Sequence, residues 1–264
     1  MRNLIYLIFL FATPALACGP DTDCMLGERS YRISMPQGHD GETPVGAVIW
    51  SHGYRGSSEG VMRNNAMRSA MSQMNLALIA SNGVNGTWEL PNGPRTMDST
   101  GAAEFAYFEA IIDDVTARFA IDPDRIYAAG FSAGGMMVWN LACGRPDLFA
   151  GFAPFSGTFW LHPPETCADP VRSLVHVHGT QDNTVPLTGR VIAETRQGKV
   201  RDALALYAAH GSFGEKYSTE MGALSCKTQK DDAGHILSLC LFDGGHSFSV
   251  EHLNYAIGQL VNSR

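Results

Sequence analysis

Short unbroken apolar runs recur along the chain at Val45–Trp50, Leu76–Ala80, Ile126–Phe131, Phe152–Phe155 and Leu174–Val177. Each ends in small or polar residues, a pattern that predicts strands buried on both faces. Between these runs the apolar positions change to helical spacing. Residues 57–74 predict a helix turning Val61, Met62, Met67 and Met71 inward, and residues 101–119 a second with Phe105, Phe108, Ile111, Ile112, Val115 and Phe119 on one face. Asp122-Pro123-Asp124 is expected to end that second helix. Met136–Ala142 is apolar nearly all round, as a fully buried helix would be. Arg201–Ala209, rich in Ala and Leu and free of β-branched residues, favours another helix, and Val250, Leu253, Ala256, Ile257 and Leu260 mark a closing one. Strands alternating with helices in this way predict an α/β fold, a mostly parallel sheet with helices on both faces.

Composition narrows the picture. The 264 residues are 45% hydrophobic and 17% charged with a formal net charge of −7, and the basic residues are scattered, so nucleic acid is not an expected partner. The N-terminus carries Arg2, an apolar stretch from Leu4 to Phe11 and then Ala15-Leu16-Ala17, the charge, core and cleavage site of a secretory signal. Residues 1–17 are therefore expected to be removed after Ala17, leaving residues 18–264 as a single exported domain in the periplasm or outside the cell, with no stable membrane span. A lipid anchor on Cys18 competes with this. Against it, Ala15 stands where such signals usually have leucine, and lipidation would leave an odd number of cysteines.

Six cysteines in an exported chain suggest disulfides. Cys226 and Cys240 lie symmetrically about Ala233, and Lys230-Asp231-Asp232-Ala233-Gly234 reads as a hairpin turn, so these two should face each other. Proximity suggests Cys18–Cys24, which leaves Cys143–Cys167, with buried free thiols as the alternative.

The candidate chemistry centres on Gly130-Phe131-Ser132-Ala133-Gly134, where an apolar run meets a buried helix. A serine thrust out on a sharp strand-to-helix turn tolerates almost no bulk two positions before and after it. Gly56-Ser57-Ser58-Glu59-Gly60 matches the same pattern, but no strand-like run leads into it and its start reads as a helix cap. A serine nucleophile needs an imidazole to take its proton and an acid to orient the imidazole, and on α/β-hydrolase folds both follow the serine in sequence. Asp182 follows the strand at Leu174–Val177, and His246 lies in a glycine-rich loop after a later strand; Asp243 is the reserve acid. The oxyanion donors expected are the backbone amides of Ala133 and Tyr54. Trp88 and Trp160 are the expected substrate contacts, in segments able to wall a cleft at the C-terminal edge of the sheet. His176 and His178 share one strand face, but no third ligand accompanies them, so neither a metal nor an organic cofactor is expected.

With these residues in view the chain resembles secreted esterases of the polyhydroxybutyrate depolymerase and feruloyl esterase group, which have the α/β-hydrolase fold. The likeness runs from about Tyr31 to the C-terminus through His52-Gly53, Ile121-Asp122-Pro123-Asp124-Arg125-Ile126-Tyr127, Gly130 to Gly135, His178-Gly179-Thr180-Gln181-Asp182 and Gly244-Gly245-His246. Tyr54 departs from the Cys or Gly that relatives often carry after His-Gly. The resemblance implies a serine ester hydrolase that forms an acyl-enzyme on 3-hydroxybutyrate-type oligomers or related small esters. Feruloyl or acetylxylan esters are the alternative substrates, and a non-catalytic binding protein on the same fold is the alternative class.

Overall fold

In the computed structural model, which describes residues 18–161 and 163–263, the apolar runs form the middle of a ten-stranded sheet. Its strands are β1 (Cys24–Leu26), β2 (Arg29–Ser34), β3 (Val45–Ser51), β4 (Leu76–Ser81), β5 (Ile121–Phe131), β6 (Gly151–Phe155) and β7 (Ser173–Gly179), joined later in the chain by β10 (Tyr217–Met221), β11 (Leu224–Lys230) and β12 (Ile236–Phe242). The short β8 (Arg190–Ile192) and β9 (Thr195–Gln197) pair separately. The sheet order is β1-β2-β4-β3-β5-β6-β7-β12-β11-β10. The six strands from β4 to β12 in that order are parallel, and the outer strands are antiparallel.

Helices cover both faces because successive side chains of the central strands point to opposite sides. Along β3, Val45, Ala47 and Ile49 join the core beneath α3 (Ala102–Arg118), α4 (Ala133–Gly144) and α5 (Val200–His210). Val48 and Trp50 join the core beneath α1 (Ser58–Met62), α2 (Asn65–Gln73) and α6 (Val250–Asn262). The parallel sheet with helices on both faces is the architecture read from the sequence.

Three local readings need correction. The helix expected over 57–74 is broken, because Asn64 caps a new helix by accepting from the Met67 amide at 3.1 Å; Val61, Met62, Met67 and Met71 are all buried nonetheless. The helix before β5 ends at Arg118, and Asp122-Pro123-Asp124 lies inside the strand, where the register jumps from Val45–Ile121 to Ala47–Ile126. Phe105 and Ile112 on α3, and Phe119 just past its end, pack against the core but are only partly buried, while Tyr107 and Glu104 are buried. Glu104 is neutralised by Arg29 at 3.0 Å and accepts from the Glu89 amide at 2.9 Å.

Disulfides join Cys18 to Cys24, Cys143 to Cys167, and Cys226 to Cys240, and the last two are register partners on β11 and β12. The segment read as a secretory signal, residues 1–17, lies outside the described residues. Among the described residues no helix is long and apolar enough to cross a membrane.

Candidate active site

Strand β5 runs into Ser132, and α4 leaves it at once. The Ser132 backbone has φ 59° and ψ −119°, a combination that costs an ordinary L-residue about 1–3 kcal/mol and persists only where the surroundings enforce it. Here the Ser132 amide donates to Phe155 O at 2.9 Å, and its carbonyl accepts the first helical bond from Met136 at 2.9 Å. A Cβ on Gly134 would collide with the Ser51 carbonyl, and one on Gly130 would lie 2.5 Å from Gly134 O. The same crowding extends to Gly135 against Phe155 O and to Gly157 against the Gly135 backbone, two requirements absent from the sequence pattern.

Two further loops converge on this turn. The chain after β7 and the chain after β12 are tied together by Thr180 N–H to Phe242 O (2.9 Å) and Gln181 N–H to Gly244 O (2.8 Å). Asp182, 4% exposed, accepts at Oδ1 from the amides of Thr184 and Val185, both at 2.8 Å. Its Oδ2 lies 2.7 Å from His246 Nδ1, and His246 Nε2 lies 2.8 Å from Ser132 Oγ. A carboxylate can only accept, so Nδ1 carries the proton and Nε2 is left free to accept from the serine hydroxyl. Burial alone would raise the Asp182 pKa. Hydrogen bonds from His178, His246 and the Val185 amide outweigh it and hold the carboxyl well below its ordinary range. Asp243 is exposed and accepts instead from Gln181 Nε2 at 2.6 Å. Ser58 is buried within α1, whose cap is the neighbouring Ser57.

The Ala133 amide opens α4 and so has no acceptor within the helix. Gly53 packs beside the serine, since a Cβ built on it would sit 3.5 Å from Ser132 Cβ, which brings the Gly53-Tyr54 turn alongside. In that turn the amides of Arg55 and Gly56 are engaged by Gly86 O and Gly53 O. His52 fixes the turn: its Nε2 accepts from the Gly83 amide at 2.9 Å and its Nδ1 donates to Gly53 O at 2.8 Å. Burial lowers the His52 pKa and so favours this neutral form. The sequence marks His52-Gly53 as part of the loop that carries Tyr54 but not this bracing role of the ring, because its partner Gly83 is 31 positions away.

Beside Ser132 opens a cleft of about 380 Å³, lined by Tyr54, Trp88, Leu90, Met136, Trp160 and Ile192, with Arg95 and Arg190 as its charged members. Trp160 is half-buried in this wall. Trp88 is 4% exposed, packs 5.0 Å from the His52 ring and donates its indole N–H to His52 O at 2.9 Å, so it braces the Gly53-Tyr54 turn as well as lining the cleft. The hairpin of β8 and β9 carries Arg190, Ile192 and Gln197 to the cleft, and no motif in the sequence marks it. The assembly can draw a proton from Ser132 Oγ, hold the resulting imidazolium against a buried carboxylate, and admit an apolar ester next to both.

Comparison with known proteins agrees with the fold. The chain is 30% identical to the NocK protein of Nocardia uniformis subsp. tsuyamanensis over 168 residues, which is 61% of this chain and 47% of NocK, about half that relative's length. It is 26% identical over 227 residues to feruloyl esterase C of Emericella nidulans, covering 83% of this chain and 76% of the relative. A shorter stretch of 57 residues, 22% of this chain and 14% of the relative, is 40% identical to poly(3-hydroxyalkanoate) depolymerase C of Paucimonas lemoignei. Among solved structures, an acetyl xylan esterase from Aspergillus awamori superposes with a TM-score of 0.62 at 13% identity, over 92% of this chain and 96% of that one, which shows a shared fold. Residues 39–230 match the phospholipase/carboxylesterase family, to which this chain, with its α/β-hydrolase fold, belongs.

Proposed function

We propose that the protein is a serine carboxylic-ester hydrolase in which Ser132 is the nucleophile, His246 the base and Asp182 the orienting acid. The observation that carries the reading is the unbroken hydrogen-bond path from Asp182 Oδ2 through the His246 ring to Ser132 Oγ, at 2.7 and 2.8 Å, beside an apolar cleft. Ser132 Oγ attacks the ester carbonyl as His246 Nε2 takes its proton. The oxyanion is received by the amides of Ala133 and Tyr54. His246 then gives the proton to the departing alcohol, and water, deprotonated by the same ring, releases the acid from the acyl-serine.

Two substrate classes are proposed from the lining of the cleft. Its aromatic and aliphatic walls, Trp160, Tyr54, Leu90 and Met136, suit a feruloyl-type acyl group or a small acyl ester of a sugar, and the feruloyl esterase relative extends over most of the chain. The second reading is an oligomer of 3-hydroxybutyrate type. Such chains end in a free carboxylate, and Arg95 and Arg190 are the charged residues of the wall. Feruloyl and acetyl sugar esters assayed beside 3-hydroxybutyrate oligomers, with wild-type and Ser132→Ala protein, test both. Hydrolysis of either class that disappears in the variant supports the proposal, and hydrolysis that survives it refutes the mechanism. Residues 1–17 are proposed to direct export, in keeping with the disulfides; N-terminal sequencing of the exported form checks this.

A further inference from the structure

Two histidines that the proposed mechanism does not use lie directly behind the acid. His176 and His178, successive inward positions on β7, are fully buried with their rings stacked 5.1 Å apart. We infer that Trp139, His176 and His178 form a one-way hydrogen-bond relay that fixes a single tautomer at each ring and thereby positions Asp182 against His246. This inference rests on the reading of Asp182 as the acid of the site.

The direction follows from donor counting. An indole N–H can only donate, and Trp139 Nε1 lies 3.2 Å from His176 Nδ1, so Nδ1 of that ring is unprotonated. Burial pushes the His176 pKa well down, so the ring is neutral and its one proton sits on Nε2. His176 Nε2 lies 2.9 Å from His178 Nδ1, which must then accept, leaving the His178 proton on Nε2. That last N–H faces two oxygens at once, Val185 O at 2.8 Å and Asp182 Oδ2 at 3.4 Å. His178 therefore holds both ends of the Asp182–Val185 turn, whose own amides bind Asp182 Oδ1. In the opposite tautomer a nitrogen lone pair would face a carbonyl and a carboxylate, and the Oδ2 that receives His246 would be repelled from this side. Trp139, on α4, excludes that state from two rings away.

The test uses the whole protein with nitrogen-15-labelled histidine. In the wild-type spectrum His176 and His178 should each show a protonated Nε2 and a bare Nδ1, and His176 should keep that form between about pH 5 and 8. Either ring with its proton on Nδ1, or His176 titrating in that range, overturns the relay. For function, His178→Phe removes the donor while keeping the ring, and should lower kcat per active site roughly 10- to 100-fold with KM nearly unchanged. His178→Gln, whose amide N–H can take the place of Nε2, should recover most of that loss. Active sites are counted by fluorophosphonate labelling, so misfolded protein does not enter kcat. An unchanged kcat in His178→Phe, or no recovery in His178→Gln, refutes the positioning role. Absence of labelling in the wild type would instead overturn the esterase reading, and the tautomers would still decide the relay.

Discussion

Replacing Asp182 by Asn should disable the site while leaving the fold in place, for a reason set by the local hydrogen bonds. The Thr184 and Val185 amides both donate to Oδ1, so an asparagine must turn its carbonyl oxygen toward them. Its NH2 group then occupies the position of Oδ2, 2.7 Å from His246 Nδ1. Facing a donor, Nδ1 must accept, and the imidazole proton moves to Nε2, where it points at Ser132 Oγ and can no longer receive a proton from it. The charge that would stabilise the imidazolium is lost as well. Together these should lower kcat/KM roughly 10⁴-fold, about 5.5 kcal/mol of transition-state stabilisation. Steady-state hydrolysis of a p-nitrophenyl ester, with circular dichroism to confirm folding, is the assay. A folded Asp182→Asn protein within about tenfold of wild type would rule out this tautomer switch, since no rearrangement of these donors restores a basic Nε2.

Other consequences follow from the same contacts. Gly134→Ala drives a methyl group into the Ser51 carbonyl and should cost at least about 1–3 kcal/mol, whereas Gly60→Ala, within α1 and with Ser57 Oγ at 3.5 Å, should be neutral or slightly stabilising; thermal denaturation of the two variants compares them. His52 and His176 are held by burial below the ordinary imidazole pKa. The unfolded chain takes up protons on them that the folded chain does not, so their contribution is complete above about pH 6.5 and is lost as pH falls below it. The melting temperature should therefore fall on acidification from about pH 8 to 5, and a flat profile would contradict this. Serine at both Cys226 and Cys240 opens a loop of separation 14 and should lower unfolding free energy by about 3 kcal/mol, read from denaturant midpoints.

Much of the architecture was legible because central parallel strands are apolar on both faces, so β3, β4, β6, β7 and the second half of β5 appear as continuous runs bounded by turns. Cys226 and Cys240 were legible as partners because hairpin register is set locally, by the turn. The edge strand β10 and the separate β8 were not: β10 is mostly exposed and β8 is three residues long, too polar or too short for a periodic signal. The irregularity in β5 has no signature in sequence because Asp-Pro-Asp is a helix-ending sequence, and pairing with β3 is what shows the strand on both sides of it. At the site, Ser132, Asp182 and His246 carry local motifs. The contacts that support them do not, since His52–Gly83, Trp139–His176 and Glu104–Arg29 join distant segments. A buried glutamate or histidine in sequence looks like any other until its partner is in place.

Intact-mass spectrometry of the protein after fluorophosphonate treatment shows whether Ser132 is the activated nucleophile of this cleft. That role for Ser132 predicts one adduct per chain, mapped to Ser132 by peptide sequencing, with ester hydrolysis lost in proportion to labelling. Hydrolysis that continues in fully labelled protein, or an adduct on another serine, would contradict it.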